Sequence, residues 1–112
     1  MKEPPIFLEH VLTCIQSIEQ FKEGLSKKDF INNDLKQSAI LRKIEIIGEA
    51  MKNIPSAFQK EYPEIEWKKI MGTRDKLIHQ YFGVDLNLMW DVIQNNIPIL
   101  KNQLQAILKR LK

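Results

Sequence analysis

From Phe7 to Phe21 the apolar residues recur in steps of three and four. Phe7, Leu8, Val11, Leu12, Ile15, Ile18 and Phe21 draw one stripe along a helix. Pro4 and Pro5 suit a first turn, where a missing N–H is harmless, and Gly24 suits a C-terminal stop, so the pattern predicts a helix over about residues 5–23. The polar stretch Ser26 to Asn33 reads as a connection. Asn32, Asn33 and Asp34 then offer caps for a second helix, in which Leu35, Ala39, Ile40, Ile44, Ile47, Met51 and Ile54 repeat at helical spacing. Leu41 and Ile46 widen its stripe, which predicts a central helix contacted on more than one side. Gly48 inside it costs about 1 kcal/mol relative to alanine. Close packing of another helix against that position is the expected compensation.

Pro55 ends the second helix and opens a short one through Phe58 to Glu61, and Tyr62-Pro63 breaks the chain again. Ile65, Trp67, Ile70 and Met71, then Leu77, Ile78 and Phe82, predict a third helix in two pieces, interrupted at Gly72 and Thr73, with Thr73 as N-cap of the second piece. Gly83 closes it and Asp85 caps a last helix carrying Leu86, Met89, Trp90, Ile93, Ile97, Leu100, Leu104, Ile107, Leu108 and Leu111. Pro98 should kink or divide that helix. No β-hairpin signal, internal repeat or low-complexity segment stands out. The expectation is an all-α bundle of four main helices with short connecting helices, one domain over residues 1–112.

Composition narrows the classes without choosing among them. Seventeen Lys and Arg against 14 Asp and Glu leave a charge of +3, which permits a polyanionic partner but does not demand one. The single cysteine, Cys14, excludes an intramolecular disulfide and a Cys-rich zinc site, and is read as small apolar filler on a helix face. No apolar run approaches the roughly 20 residues of a membrane span, and the N-terminus lacks the regions of a signal peptide. No membrane association and a cytoplasmic location are expected.

Candidate chemistry is concentrated in Arg74-Asp75-Lys76-Leu77-Ile78-His79-Gln80-Tyr81. A permanent cation, a carboxylate, an imidazole and a phenol fall within about two helical turns. If the helix runs through this stretch, Asp75 and His79 share a face at i and i+4, where the carboxylate would orient the imidazole and raise its pKa. Arg74 and His79 would stand roughly 140° apart around the axis, and Tyr81 roughly 10 Å further along than Arg74. One copy is then an awkward active site. Two copies across a dimer axis would supply two histidines and two arginines to one cleft. Metal-independent RNA cleavage suits such a set: a 2′-hydroxyl attacks the adjacent phosphorus, His79 moves the proton, and Arg74 binds the phosphate. One His with scattered carboxylates makes too few ligands for a metal, and no cofactor is expected. Spacing alone favours the plainer alternative of a solvated helix face with a structural histidine, because an Arg with a His five residues later is a frequent chance match. His10 has no comparable neighbours and is assigned no function.

Other residues shift that balance. Ile46-Ile47-Gly48-Glu49-Ala50, Trp67 and Ile70, Arg74-Asp75 with His79 and Tyr81, Trp90, and Ile97-Pro98-Ile99-Leu100 follow one another along most of the chain. That ordered set resembles the HepT-like ribonuclease toxins of the HEPN superfamily. The family motif is an Arg, a polar residue, further residues, a His, and a Tyr two after the His. Arg74, Asp75, His79 and Tyr81 fill those places as Arg-x4-His-x-Tyr, with Asp where Asn is commoner. The resemblance implies a homodimeric HEPN-type bundle and a toxin that is a metal-independent endoribonuclease. In it Arg74 and His79 are catalytic, Asp75 supports them, and RNA is the substrate. It further implies a cognate minimal nucleotidyltransferase antitoxin, normally encoded next door, that transfers AMP from ATP onto Tyr81. Glu49, charged within an otherwise apolar helix, could then approach Arg74 or Lys76; a solvated Glu is the plainer default. Two alternatives stand beside the toxin: a non-catalytic nucleotide- or substrate-binding helical partner of a nucleotidyltransferase, and a dimeric interaction module whose polar cluster is surface. The intact Arg–His–Tyr set favours the enzyme.

Overall fold

The structure, a computed structural model, describes residues 3–79 and 83–111, with the His79 side chain outside that description. The first apolar stripe forms α1, Pro4–Lys22, with both prolines in its first turn and Leu8, Val11, Cys14, Ile15 and Ile18 buried. Gly24 ends it at φ +75°, and the Leu25 N–H reaches back to the Lys22 carbonyl at 2.9 Å. That left-handed residue is where a glycine is needed. α3, Asp34–Lys52, starts at Asn33, whose side chain accepts from the Lys36 N–H at 3.0 Å. It buries Ile40, Ile44, Ile47, Gly48, Ala50 and Met51 and lies along α1 over most of its length.

Between them the expected connection contains a helix, α2, Lys27–Ile31. Ser26 and Asp29 cap one another reciprocally: the Asp29 N–H donates to Ser26 Oγ at 3.1 Å and the Ser26 N–H to Asp29 Oδ2 at 3.3 Å. Phe30 is fully buried and meets Trp90 with ring centroids 5.4 Å apart. One buried residue in five gives no periodicity, which is why the stripe pattern passed over α2.

α4, Ser56–Glu61, follows the expected boundaries, and the third helix is split at Gly72 as expected, into α5, Trp67–Met71, and α6, Thr73–Leu77. Thr73 is not the cap. It is the first residue of α6, and its hydroxyl donates back to the Lys69 carbonyl at 2.8 Å. The larger departure is at the C-terminal end of α6. Instead of running to Phe82, the chain turns extended at Ile78 (φ −98°, ψ 120°) and forms a two-residue antiparallel pair, β1, Ile78–His79, with β2, Gly83–Val84. Ile78 faces Val84 and His79 faces Gly83. Leu77 is fully buried, and its carbonyl accepts the Asp85 N–H at 2.7 Å instead of continuing the helix. Ile78 is β-branched, and Gly83 takes φ +77°, so both residues suit a reversal better than a helix.

Asp85 caps α7, Leu86–Asp91, through a 3.0 Å bond from the Leu88 N–H. A π-helical stretch, Val92–Asn96, leads into α8, Ile97–Leu111. It is the physical form of the expected Pro98 disturbance. The Ile97 N–H bonds to the Val92 carbonyl, so in this register the Ile93 carbonyl would look to residue 98, which as proline has no N–H. Lys22 supplies the missing donor from α1, with Nζ 3.1 Å from the Ile93 carbonyl and 2.8 Å from Gln94 Oε1. Lys101 and Glu19 also link α8 to α1 at 3.0 Å. The expected all-α class holds, with one short strand pair added. No helix among the described residues is long and apolar enough to cross a membrane.

Candidate functional site around Arg74

Gly48 sets the position of the whole site. A Cβ there would lie 3.4 Å from the Met71 carbonyl oxygen and 3.9 Å from the Ile70 carbonyl oxygen, so the backbone of α5 sits directly on α3. This is the close packing expected of an interior glycine. Trp67 and Leu77 anchor the outer ends of the α5–α6 pair. Trp67 is buried and donates its indole N–H to the Tyr62 carbonyl at 3.0 Å, and Leu77 is fully buried. Between these anchors Lys68, Lys69, Arg74, Asp75 and Lys76 are exposed. Four cations and one carboxylate thus share one short surface segment.

Arg74, the second residue of α6, is 45% exposed at its side chain. Its Nε lies 3.3 Å from Glu45 Oε2 on α3, and its Nη1 lies 3.5 Å from Asp75 Oδ1. The first contact follows from the glycine contact. Glu45 is three residues before Gly48 and Arg74 three after Met71, so in an antiparallel helix pair the two fall opposite one another. Both groups are partly exposed, so the pair adds no more than about 1 kcal/mol to stability. Its consequence is geometric. The guanidinium is paired at Nε with Glu45, and at its Nη edge an anion would compete with the long contact to the exposed Asp75.

The remaining expected site residues are placed less uniformly. Asp75 is 81% exposed at its side chain and contacts Arg74. Asp75 and His79 do not share one helix face as i and i+4, because α6 ends at Leu77 and His79 belongs to extended β1. The 140° and 10 Å helical offsets lapse for the same reason. The His79 side chain and Tyr81 lie outside the described residues. Glu49 does not approach Arg74 or Lys76: it pairs with Lys52 at 3.4 Å and is 73% exposed. The α3 carboxylate that reaches Arg74 is Glu45, one turn earlier. The signal for it was present in Gly48, once Met71 is known to be its contact.

Beside α6 an open cleft of about 330 Å³ separates α3 and α5 from α7 and α8. Ile44, Ile47, Ile70, Val92, Ile97 and Leu100 give it an apolar lining. Thr73 and Lys76, which flank Arg74 and Asp75, form part of its wall, and the exposed Leu88 and Ile99 stand at its side. The arrangement offers an anion-binding fork on a rigid helix, a histidine two residues beyond a helix end, and an adjoining apolar face.

Comparison with known proteins gives concordant matches. The model of the family described as "Ribonuclease HepT-like" matches residues 11–107. A protein of Caldanaerobacter subterraneus subsp. tengcongensis, named a candidate RNase, is 41% identical over 112 residues, the full length of both chains. A protein of Thermococcus cleftensis named "Probable ribonuclease HepT" is 42% identical over 103 residues, 92% of this chain and 94% of its own. A Methanocaldococcus jannaschii protein, named a gamma-glutamylcyclotransferase and candidate RNase, is 43% identical over 110 residues, which are 98% of this chain and 50% of that protein. The chain therefore spans half the length of that relative. No solved structure matches.

Proposed function

The chain belongs to the HepT-like ribonuclease family, and from that premise we propose that it is a toxin endoribonuclease that cuts RNA without a metal ion through Arg74 and His79. The observation that carries this reading is the Arg74 side chain, 45% exposed and paired through Nε with Glu45. An RNA phosphate is the ligand such a fork fits bidentately. In the proposed step the 2′-oxygen forms a bond to phosphorus as His79 takes its proton, and the bond from phosphorus to the 5′-oxygen breaks. The products are a 2′,3′-cyclic phosphate and a 5′-hydroxyl. Arg74 offsets the charge that gathers on the phosphoryl oxygens, with Asp75 as its support.

The 5′-oxygen also needs a proton, and each chain carries one motif imidazole. Two copies meeting at one cleft would provide both a base and an acid, which is the chemical reason to propose a homodimer. The apolar cleft beside α6, with Leu88 and Ile99 exposed at its side, is where the second copy would lie. In the same proposal a cognate minimal nucleotidyltransferase neutralises the toxin in the cytoplasm. The Tyr81 phenol oxygen attacks the α-phosphorus of ATP, AMP is transferred, and pyrophosphate leaves with the phenol proton passing to a base of the transferase. Each AMP adds bulk and negative charge beside the phosphate site.

Expression without the partner, followed by RNA sequencing of the host, tests the reading. Wild type should arrest growth and leave cyclic-phosphate ends, and His79→Ala should do neither while melting as a folded protein. Equal toxicity of the two would sink the assignment. Mass spectrometry after co-expression with the transferase should add AMP units to wild type and none to Tyr81→Phe.

A further inference from the structure

We propose that Glu45 is a positioning residue that aims the Arg74 guanidinium at the RNA phosphate, an inference that rests on the ribonuclease reading above. Arg74 stands on a helix of five residues whose N-cap, Gly72, offers no side-chain bond. Its long side chain is nearly half exposed and free to sample many rotamers. Within α6 the fork meets Asp75 Oδ1, at 3.5 Å from Nη1, a group that is itself 81% exposed and a loose hold. Glu45 differs in each respect. It stands on the 19-residue α3, next to Ile44 and two residues from Ile47, both buried, and its own side chain is one-third exposed. A carboxylate on that base is a fixed point, and fixed points within a few tenths of an ångström are what a phosphate-binding group requires.

The atom contacted is as informative as the contact. Glu45 takes Nε, the inner edge of the guanidinium, at 3.3 Å. The Nη edge remains for the two phosphate oxygens. The Asp75 contact to Nη1 is longer, at 3.5 Å, and made by a side chain 81% exposed, so a phosphate can displace it. A carboxylate beside a phosphate site lowers the local positive potential and therefore works against affinity. Its benefit must lie in direction. Glu45 therefore governs turnover and not RNA binding.

Cut sites are first mapped on total bacterial RNA, and steady-state rates are then measured on a labelled oligonucleotide spanning one of them. Glu45→Ala should lower kcat about 10- to 100-fold, as expected for a misplaced catalytic group, with KM unchanged or lower. Glu45→Asp keeps a carboxylate for the ion pair and should recover part of the loss; it also carries the test if the alanine protein fails to fold. In an Arg74→Lys background, which has no Nε, Glu45→Ala should bring no further loss. A fold brace would instead cost the same in both backgrounds and move KM and melting temperature with kcat. Wild-type rates in Glu45→Ala, faster cleavage, or full additivity with Arg74→Lys would each overturn the positioning role. The parent reading fails separately, if wild type leaves the RNA intact or Arg74→Ala cuts at the wild-type rate. Glu49→Ala, one turn away and paired with Lys52, should cut normally.

Discussion

Enlarging residue 48 should separate helix propensity from helix contact. At Gly48 an added Cβ meets the Met71 carbonyl at 3.4 Å and the Met71 Cα at 3.9 Å, the near limit of ordinary van der Waals contact. Alanine therefore fits without moving α5, and it removes the backbone freedom of glycine in a helix interior, a gain of up to about 1 kcal/mol. Gly48→Ala should be as stable as wild type or more so. Valine adds two methyl groups roughly 1.5 Å beyond that Cβ. Its χ1 is narrowly restricted in a helix, and the wall it meets is backbone, which cannot turn aside. Overpacking of this kind costs about 1–3 kcal/mol, against a smaller propensity gain over glycine. The net loss is about 1–2 kcal/mol, or roughly 5–10 °C in Tm for a chain of this size. Urea unfolding followed by the fluorescence of Trp67 and Trp90 would measure it. The loss of stability should be accompanied by reduced RNA cleavage, since α5 and α6 shift away from α3 and Glu45 loses Arg74. A valine protein as stable as the alanine protein would show that the α3–α5 approach does not depend on glycine.

Further outcomes follow from other contacts. Lys22→Met should destabilise by about 1–2 kcal/mol in wild type, because the Ile93 carbonyl loses its donor, and by less in a Pro98→Ala background where residue 98 regains an N–H; equal losses in a double-mutant cycle would discount the capping role. Phe30→Ala should cost about 3–5 kcal/mol by chemical denaturation, since the ring is fully buried against Trp90, and a loss below 1 kcal/mol would mean α2 is dispensable. The Glu64 carboxyl is held below its ordinary value of 4.5, first by a backbone hydrogen bond, which outweighs desolvation, and then by the hydrogen bond and charge of Arg110. Its folded pKa being depressed, its contribution is present above about pH 4.5 and fades as pH falls through the folded value. Glu64→Gln should therefore flatten the acid limb of the urea midpoint, and an unchanged limb would refute the linkage. Burial pushes the Cys14 thiol up despite Lys43, so a thiol reagent at pH 7.5 should label the native protein only as fast as it unfolds.

Most of the helical plan was legible before any coordinates. α1 and α3 began and ended within a residue or two of the apolar stripes and the Pro, Asn and Gly signals that bound them. The division of the third helix at Gly72 and the disturbance ahead of Pro98 were also readable, because both are local properties of one residue. α2 escaped because a capping box with a single buried phenylalanine has no period. The strand pair escaped because Leu77, Ile78 and Phe82 mimic a helical spacing. The deciding bond, from the Asp85 N–H to the Leu77 carbonyl, joins residues eight apart in the chain.

The motif Arg74, Asp75, His79 and Tyr81 divides along the same line. Its residue types, their order, and the family they indicate are properties of the chain alone. Which α3 carboxylate meets Arg74 was beyond it: the resemblance brought forward Glu49, a charge within an otherwise apolar helix, and the fold chose Glu45. An ion pair between α3 and α6 depends on how two helices are set against each other. That setting comes from a glycine against a backbone carbonyl 23 residues further along the chain. Local pattern determines the elements because each is stabilised by its own backbone and its own apolar face. Only packing decides the contacts between them, since it fixes the register in which two such faces meet.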